Sequence, residues 1–505
     1  MNSKTRFFRS GIMLTLVGLA MRTVAMFFGA FISRTVGAEG TGLYTLVMTV
    51  YSFAVTFATS GISLTVTRLV ASAVGEGRGD KLGNVMRGAV VYSLFFGTLA
   101  TLGLFFGAEL FGSVILKDER TVSSLKILAL SLIPGTLSAV YTGYFVGVKR
   151  VAFNAVASVF CQVVKIAITV LLVIRLLPYG TVSAVVGLCL GITLTELLGF
   201  LLIYLEYLYD RRKNRVKNTT YGLELKEVSK MALPLAFSAY VRSFLLNVEH
   251  ILIPRKLREK GESTSEAYAH YGTLHGMALP VIMYPMSPLS SFAGLLVPEF
   301  AEDMAAGKSE RMSRLASKAL NTTLTYATIS AVMIFSFAEE LGYVVYNSYD
   351  AGYYISVLSL VVPIMYLDHV TDSMLKGIGE QVFSMWVNIS DSLLSVILVW
   401  FLIPRMGIMG YAVVIVVMEG YNFLLSFIRL RKKIHFKISL PRAMILPLLV
   451  SLLSSYISHI SLNFAGKDVS PVWLILKMIF TLSLTVFLLA LADIRQEKTT
   501  KVYQE

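Results

Sequence analysis

SGIMLTLVGLAMRTVAMFFGAFISRTVG, running from Ser10 to Gly37, is the stretch on which the fold turns. About 20 apolar residues at ~1.5 Å rise cross ~30 Å of hydrocarbon, so this run is long enough to span a bilayer. Arg22 nevertheless sits in its middle, well away from either end. A guanidinium that faces lipid at that depth costs at least ~2.5–3.5 kcal/mol. It cannot escape that cost by losing its proton. Arg22 is therefore expected to face protein, water or an anion.

The totals agree with a membrane chain. Of 505 residues, 55% are apolar and 15% charged, and mean hydropathy is +0.70. A soluble protein carries charge on about 25% of its residues. The composition predicts an all-α integral membrane protein without a separate soluble domain. Net charge is +14. In a soluble protein such charge suggests nucleic acid. Here the basic residues lie mostly in turns, as they do in membrane proteins, so no nucleic-acid partner is expected. Cys161 and Cys189 fall inside apolar runs and form neither a disulfide framework nor a metal motif. The N-terminal MNSKTRFFRS resembles a signal n-region, but the run after it is long, holds Arg22 and lacks a small-residue cleavage site. It reads as a retained first segment.

The apolar runs predict fourteen transmembrane segments: 10–36, 43–72, 88–109, 122–147, 153–177, 181–208, 231–254, 269–299, 318–340, 353–376, 382–403, 408–430, 441–463 and 471–492. With the N-terminus inside, the cytoplasmic turns collect most of the Lys and Arg, including Arg211–Lys213 and Arg429–Lys433. Far fewer fall outside, and the charge rule then puts both termini in the cytoplasm. The basic run Arg255–Lys260 is the exception, either a solvated helix end or an anion contact. Polar breaks predict a six-helix lobe over 1–209, a linker at 210–230, a second six-helix lobe over 231–432, and a terminal helix pair with a tail over 433–505.

The two lobes read as repeats. The first segment carries Arg22 and Arg34; the seventh carries Arg242 and Arg255. The second begins GLYTLVM and the eighth YGTLHGM; the fourth begins LSLIPG and the tenth LSLVVP. Six segments per repeat give both copies one orientation, related by an axis along the membrane normal, and a cavity between such lobes suits alternating access. Pro280, Pro285, Pro288 and Pro298 in the eighth segment predict bending, since each removes a backbone donor.

Six strings, taken together, resemble a known family: SRTVGAEGTGLY at 33–44, SGISLTVTRLVA at 60–71, ILIPRKL at 251–257, YGTLHGMALPVIMYP at 271–285, LLVPEFAE at 295–302 and MLKGIGEQ at 374–381. The chain resembles the multidrug/oligosaccharidyl-lipid/polysaccharide (MOP) exporter superfamily. It is most similar to the polysaccharide-biosynthesis branch that includes stage V sporulation protein B, related to MurJ-type lipid II flippases. The resemblance implies two six-helix lobes in a V-shaped, MATE-like arrangement plus a C-terminal helix pair. It implies a flippase carrying a polyprenyl-diphosphate-linked saccharide across the bacterial cell membrane, as a monomer and without enzymatic chemistry. Arg22 falls where the lipid II flippases have an essential arginine; a second arginine of theirs is absent, with Phe28 near that place.

Arg22, Arg68 and Arg242 are the leading candidates to bind phosphate, because guanidinium offers a bidentate fork to its oxygens. The alternatives are an internal ion pair or, for Arg68, snorkelling to the headgroups. Lys165 either lines the cavity or pairs with Glu196; Glu249 tunes Arg242, binds a cation or braces the lobe. His275 titrates near neutrality or is a hydrogen-bonded structural residue. Asp368 and Asp372, spaced i, i+4, share a helix face and form a candidate proton or monovalent-cation site, or else cap or pair with a basic residue of the seventh segment. Asp391 and Glu419 receive no role. Neither the full phosphate-binding Gly-x-x-x-x-Gly-Lys-Ser/Thr motif nor a paired His-Glu metal motif is present, so no cofactor or metal is expected. Two other readings stay open: a MATE-like drug or cation antiporter, and a non-transporting scaffold of a wall-synthesis complex.

Overall fold

The computed structural model describes residues 3–59, 61–75, 79–148, 150–213, 224–463 and 470–502. Within that range it describes side chains except at 3–22, 75, 79–80, 151–158, 213, 234–235, 238, 298, 305, 462–463 and 493–502. Among the described residues regular structure is entirely helical. The first half holds α1 (Ser3–Thr59), α2 (Ile62–Gly75), α3 (Gly79–Glu109), α4 (Val122–Ala129), α5 (Leu132–Gly147), α6 (Val151–Leu176) and α7 (Thr181–Lys213). The middle holds α8 (Leu225–Glu259), α9 (Thr264–Tyr271), α10 (Leu279–Met283), α11 (Met286–Ala305), α12 (Ser309–Ser336) and α13 (Ala338–Tyr346). The remainder is α14 (Tyr349–Ser359), α15 (Val362–Gly377), α16 (Gln381–Met406), α17 (Ile408–Lys433), α18 (Leu446–Asn463) and α19 (Pro471–Val502).

Among the described residues, nine helices are long and apolar enough to cross a membrane, or up to twelve if each bent pair is one span. Two features separate this count from the fourteen expected segments. The span from Thr23 to Val74 runs through Gly37, whose φ of 73° and ψ of −179° break it into two helices. A residue bearing Cβ is disfavoured at that φ, so glycine fixes the break. The second feature is α8, which carries Arg242, Glu249 and further charges near its ends and is not among those helices.

The chain divides into two compact units. One comprises Thr35–Ala269; the other joins Met1–Arg34 to His270–Glu505. This division does not follow the sequence-based boundary at 209–231. The start of α1 groups with the later half, and α8 with the earlier one.

In the Thr35–Ala269 unit, α8 packs on α2 and α3. The core there joins Ile62, Val66 and Val70 of α2 to Val85 and Ala89 of α3, Val140 and Tyr144 of α5, and Val228 and Ala232 of α8. Gly143 and Gly147 form a GxxxG stripe on α5 that brings it against α2. A Cβ on Gly143 would lie 2.6 Å from the Ser63 carbonyl oxygen. Small residues replace apolar driving force between helices in lipid, where close backbone approach supplies the packing.

In the other unit, α11, α12 and α17 pack around α15. The outer surfaces of the helices are studded with exposed Phe95, Phe106, Phe160, Trp386 and Trp400, as lipid-facing helices are. Repeated backbone features mark the two halves. Lys117 and Asn347 both take φ of 56°, and each is followed by an extended helix cap, Asp118 and Ser348. Helices α4 and α5 bend by 44° at Leu130–Ser131; α14 and α15 bend by 57° at Leu360–Val361. These bends fall within the LSLIPG and LSLVVP strings.

Candidate functional site

The most elaborate local construction lies where α9–α10 meets α11. The two parts are inclined by 59°. Pro285 and Pro288 have no N–H, so the carbonyls of Val281 and Tyr284 lose their i+4 donors. The chain satisfies the disrupted ladder with side chains. Tyr366 Oη donates to the Ile282 carbonyl at 2.9 Å, Tyr326 Oη to that of Pro285 at 2.6 Å, and Ser287 Oγ to that of Tyr284 at 2.8 Å. Thr23 Oγ1 and Tyr284 Oη share a 2.7 Å hydrogen bond, which ties α1 to the bend one residue after Arg22. The prolines thus do bend this segment, and borrowed hydroxyls hold the bend. Tyr366→Phe is expected to destabilise the protein by about 1–3 kcal/mol, because the Ile282 carbonyl loses a buried donor. Thermal unfolding in detergent measures it; an unchanged midpoint would show the hydroxyl to be idle.

His275 lies in the π-helical turn Gly272–Ala278 and stacks on Tyr271, with ring centroids 5.3 Å apart and planes within 5°. The side chain of Arg22 lies outside the described residues.

In the Thr35–Ala269 unit, Arg242 is exposed on α8 and makes no ion pair among the described residues. Its surroundings are otherwise satisfied. Tyr240 Oη donates to the Phe57 carbonyl at 3.2 Å, and its ring stacks on Phe57 at 5.3 Å. Asn247 Nδ2 donates to the Ser243 carbonyl at 2.6 Å. Glu249 is buried and does not pair with Arg242. Arg68 is likewise exposed on α2, with no ion pair.

Lys165 of α6 and Glu196 of α7 are both half-buried and within electrostatic reach, but they form no direct ion pair. Glu196 Oε2 lies 3.6 Å from where a Cβ on Gly135 would stand. Arg242, Arg68 and the Lys165–Glu196 couple occupy different helices of this unit. Among the described residues no hydrogen bond joins them.

The acids of the other unit do assemble. Asp372 pairs with Lys376 at 2.5 Å on its own helix α15. Asp368, one turn earlier, lies near Ser426 of α17 and within electrostatic reach of Asp372 and of Asp391 on α16. Glu419 of α17 feels both Asp368 and Asp391. Three consecutive helices thus each send one carboxylate into the same region. Sequence alone assigns Asp391 and Glu419 no role. Their one signal was being lone acids in successive apolar segments. Among the described residues no group of His, Cys, Asp and Glu has the geometry to hold a metal ion.

At the C-terminal end of α8, the expected basic run Arg255–Lys260 is absorbed into the fold. Glu259 pairs with Lys256 at 2.6 Å and with Arg255 at 3.5 Å; Lys256 holds its carboxyl below the usual range. Arg258 Nη2 donates to the Leu116 carbonyl at 3.0 Å, and Arg34 Nε donates to that of Val345 at 2.7 Å. The partner of Arg34 in the repeat is thus Arg258 by role, where sequence spacing pointed to Arg255. Arg120 grips Asp118 at 2.8 Å and Glu39 at 2.8 Å, and its guanidinium lies 5.8 Å from the Tyr268 ring. The hydrogen bond from Arg120 holds the Glu39 carboxyl below its ordinary value.

Comparison with known proteins places this architecture. The family model described as polysaccharide biosynthesis protein matches residues 7–304, and that described as MatE matches 274–401. Stage V sporulation protein B of Bacillus subtilis is 26% identical over 421 residues, covering 82% of this chain and 81% of that protein. Lipid II flippase MurJ of the same organism is 22% identical over 408 residues, covering 75% of this chain and 74% of its own. Among solved structures, lipid II flippase MurJ in an inward closed conformation superposes with a TM-score of 0.71 at 14% identity, covering 96% of this chain and 99% of that one. An inward-facing MATE family transporter of the MOP superfamily gives 0.67 at 17% identity, covering 83% and 98%. At such identities the structural likeness shows the fold. The chain belongs to the polysaccharide biosynthesis protein family, and its fold is the one shared by MurJ and the MATE transporters.

Proposed function

We propose that the protein is a flippase that moves an anionic, polyprenyl-diphosphate-linked saccharide from the inner to the outer leaflet of a bacterial cell membrane. One observation carries this reading. Arg242, exposed on α8, presents a permanent cation that pairs with no carboxylate among the described residues. A membrane protein bears the cost of such a group when a polar path or anionic cargo passes it. A diphosphate is the anion best suited to arginine forks. The printed name of MurJ, a lipid II flippase, supports the cargo class. Arg68 and Lys165, in the same unit as Arg242, are proposed as further phosphate contacts, and Arg22 of the other unit is proposed as a phosphate contact in its own right.

Voltage favours outward movement. About 2.3 kcal/mol is gained per negative charge leaving against ~100 mV, so a diphosphate with two charges gains roughly 4–5 kcal/mol. The protein acts as a monomer with both termini cytoplasmic, and uses no cofactor. Mass spectrometry of lipids that co-purify with the full chain tests the cargo class. A polyprenyl-diphosphate saccharide enriched over bulk phospholipid is the expected result, and its absence from membranes that make it overturns the proposal.

The acidic group Asp368, Asp391 and Glu419 favours a second element, coupling to a proton or monovalent cation. Asp368→Asn is then expected to flatten the pH or sodium dependence of transport in proteoliposomes. An unaltered dependence removes the coupling role and leaves voltage alone. If Asp368→Asn instead abolishes export of organic cations, the drug-antiporter reading gains.

A further inference from the structure

One hollow among the described residues lies away from all of these groups, within the unit that contains α12 and α17. It measures about 750 Å³ and sits between the first turns of α12 and the connection from α17 to α18. Its walls carry Arg314 and Lys318 of α12, Arg431 of α17, and His435 and Lys437 of the connection. Arg314, Lys318, Arg431 and Lys437 are exposed, and none of them forms an ion pair. No carboxylate lines this hollow; Glu310 lines the smaller one of about 400 Å³ that adjoins it.

A polar ladder builds the wall. Ser313, Ser317, Asn321 and Thr325 are spaced i, i+4, i+8 and i+12, and so form one stripe along α12. The first three bond the extended connection that runs beside α12, and Thr325 bonds the helical turn Pro441–Ile445 that follows it. Ser313 Oγ donates to the His435 carbonyl. The Lys437 N–H donates to Ser317 Oγ at 3.0 Å. Asn321 Nδ2 donates to the Lys437 carbonyl at 2.9 Å, and its Oδ1 accepts from the Ser439 N–H at 2.9 Å. Thr325 Oγ1 donates to the Ala443 carbonyl at 3.2 Å. The stripe pins the cationic connection alongside Arg314 and Lys318, which like charges alone would push apart. Four unpaired cations on a fixed frame lower their mutual repulsion when an anion lies among them.

The setting selects the kind of anion. Just beyond Lys437 the chain exposes Leu440, Met444, Ile445 and Leu449. Positive charge passes to apolar surface within a few residues, which marks the boundary between water and hydrocarbon. A soluble phosphate uses only the first part of that surface. A phospholipid uses both, and basic pockets at membrane-helix ends suit headgroups with phosphate. We infer that this hollow is a structural binding site for the doubly anionic headgroup of a diphosphatidyl lipid, whose acyl chains lie along the exposed face of α18. An occupant bridges α12, α17 and the start of α18, and so braces this unit.

The full chain in phosphatidylcholine nanodiscs tests the inference, with diphosphatidylglycerol, phosphatidylglycerol, inorganic phosphate or farnesyl diphosphate added in turn. Native mass spectrometry counts bound lipid, and thermal unfolding reads its effect. Diphosphatidylglycerol is expected to be retained and to raise the midpoint by several degrees. The triple variant Arg314→Gln, Lys318→Gln, Lys437→Gln is expected to bind it at least about tenfold more weakly. The triple variant Arg212→Gln, Lys226→Gln, Lys230→Gln removes equal charge elsewhere and is expected to bind as the parent does. The inference is overturned if inorganic phosphate or farnesyl diphosphate protects as well as the lipid. It is also overturned if phosphatidylglycerol binds as tightly as diphosphatidylglycerol, or if both triple variants behave alike. A pocket variant that fails to fold is replaced by Lys437→Gln alone, for which a smaller loss in the same direction is expected and an unchanged affinity counts against the site.

Discussion

Arg242→Ala is expected to abolish most transport of the proposed lipid-diphosphate saccharide in proteoliposomes, with protein yield and melting unchanged. Loss of one arginine that holds phosphate removes charge-assisted hydrogen bonds of about 1.5–3 kcal/mol each, or roughly ten- to hundredfold in rate if they are made at the limiting step. Stability should be spared because Arg242 is exposed and makes no ion pair that its removal would orphan. Arg242→Lys retains charge but not the fork, so it should recover only part of the activity. Arg22→Ala, at the matching place in the repeat, is expected to be at least as damaging. Unchanged transport by either alanine variant at normal protein level rejects its role as a phosphate clamp. Slowed transport with lowered melting would instead mark a packing residue.

Gly42→Val has the largest expected effect on stability. A Cβ at Gly42 would stand 2.0 Å from the carbonyl oxygen of Tyr268, a backbone atom that cannot rotate away. Tyr268 is fully buried and lies beneath the Arg120 guanidinium, itself held by Asp118 and Glu39. To make room, the helix that follows Gly37 must part from α9, and that would open this ionic turn. Overpacking of this kind costs about 1–3 kcal/mol, and a clash with backbone belongs at or above the top of that range. Loss of folded protein in fluorescence-detected size exclusion, or a fall in melting of many degrees, is the expected outcome. Gly103→Ala is the matched control: nothing stands within 4 Å of its Cβ, so no loss is expected there. Equal behaviour of the two variants would show that the approach at Gly42 is looser than described.

Much of this architecture is written in local chemistry. The apolar runs announce helices that cross a membrane, because ~30 Å of hydrocarbon demands their length. The paired LSLIPG and LSLVVP strings mark breaks that recur in both halves, and Pro285 with Pro288 marks the sharpest bend. What fills a bend is not local. Tyr326 and Tyr366 are distant in sequence from the carbonyls they serve, and no spacing rule reveals them. The same holds for the acids. Asp368 and Asp372 stand out as an i, i+4 pair, yet Asp372 is engaged by Lys376, whereas Asp391 and Glu419 approach Asp368 only through the packing of α15, α16 and α17. Arg255 was the natural repeat partner of Arg34 by interval alone; Arg258 takes the role because helix phase decides which side chain reaches the Leu116 carbonyl.

The assignment of residues before Arg34 to the unit completed by His270–Glu505 bears on biosynthesis. Nascent chains leave the ribosome N-terminus first and fold domain by domain. The opening helix therefore enters the bilayer long before its permanent neighbours exist, while the intervening residues 35–269 can consolidate on their own. An apolar helix bearing arginine must wait, exposed, until translation has passed Tyr284 and Val345, the residues it finally bonds. That interval makes the first helix the segment most dependent on insertase or chaperone protection, and makes truncations before residue 270 prone to leave it orphaned.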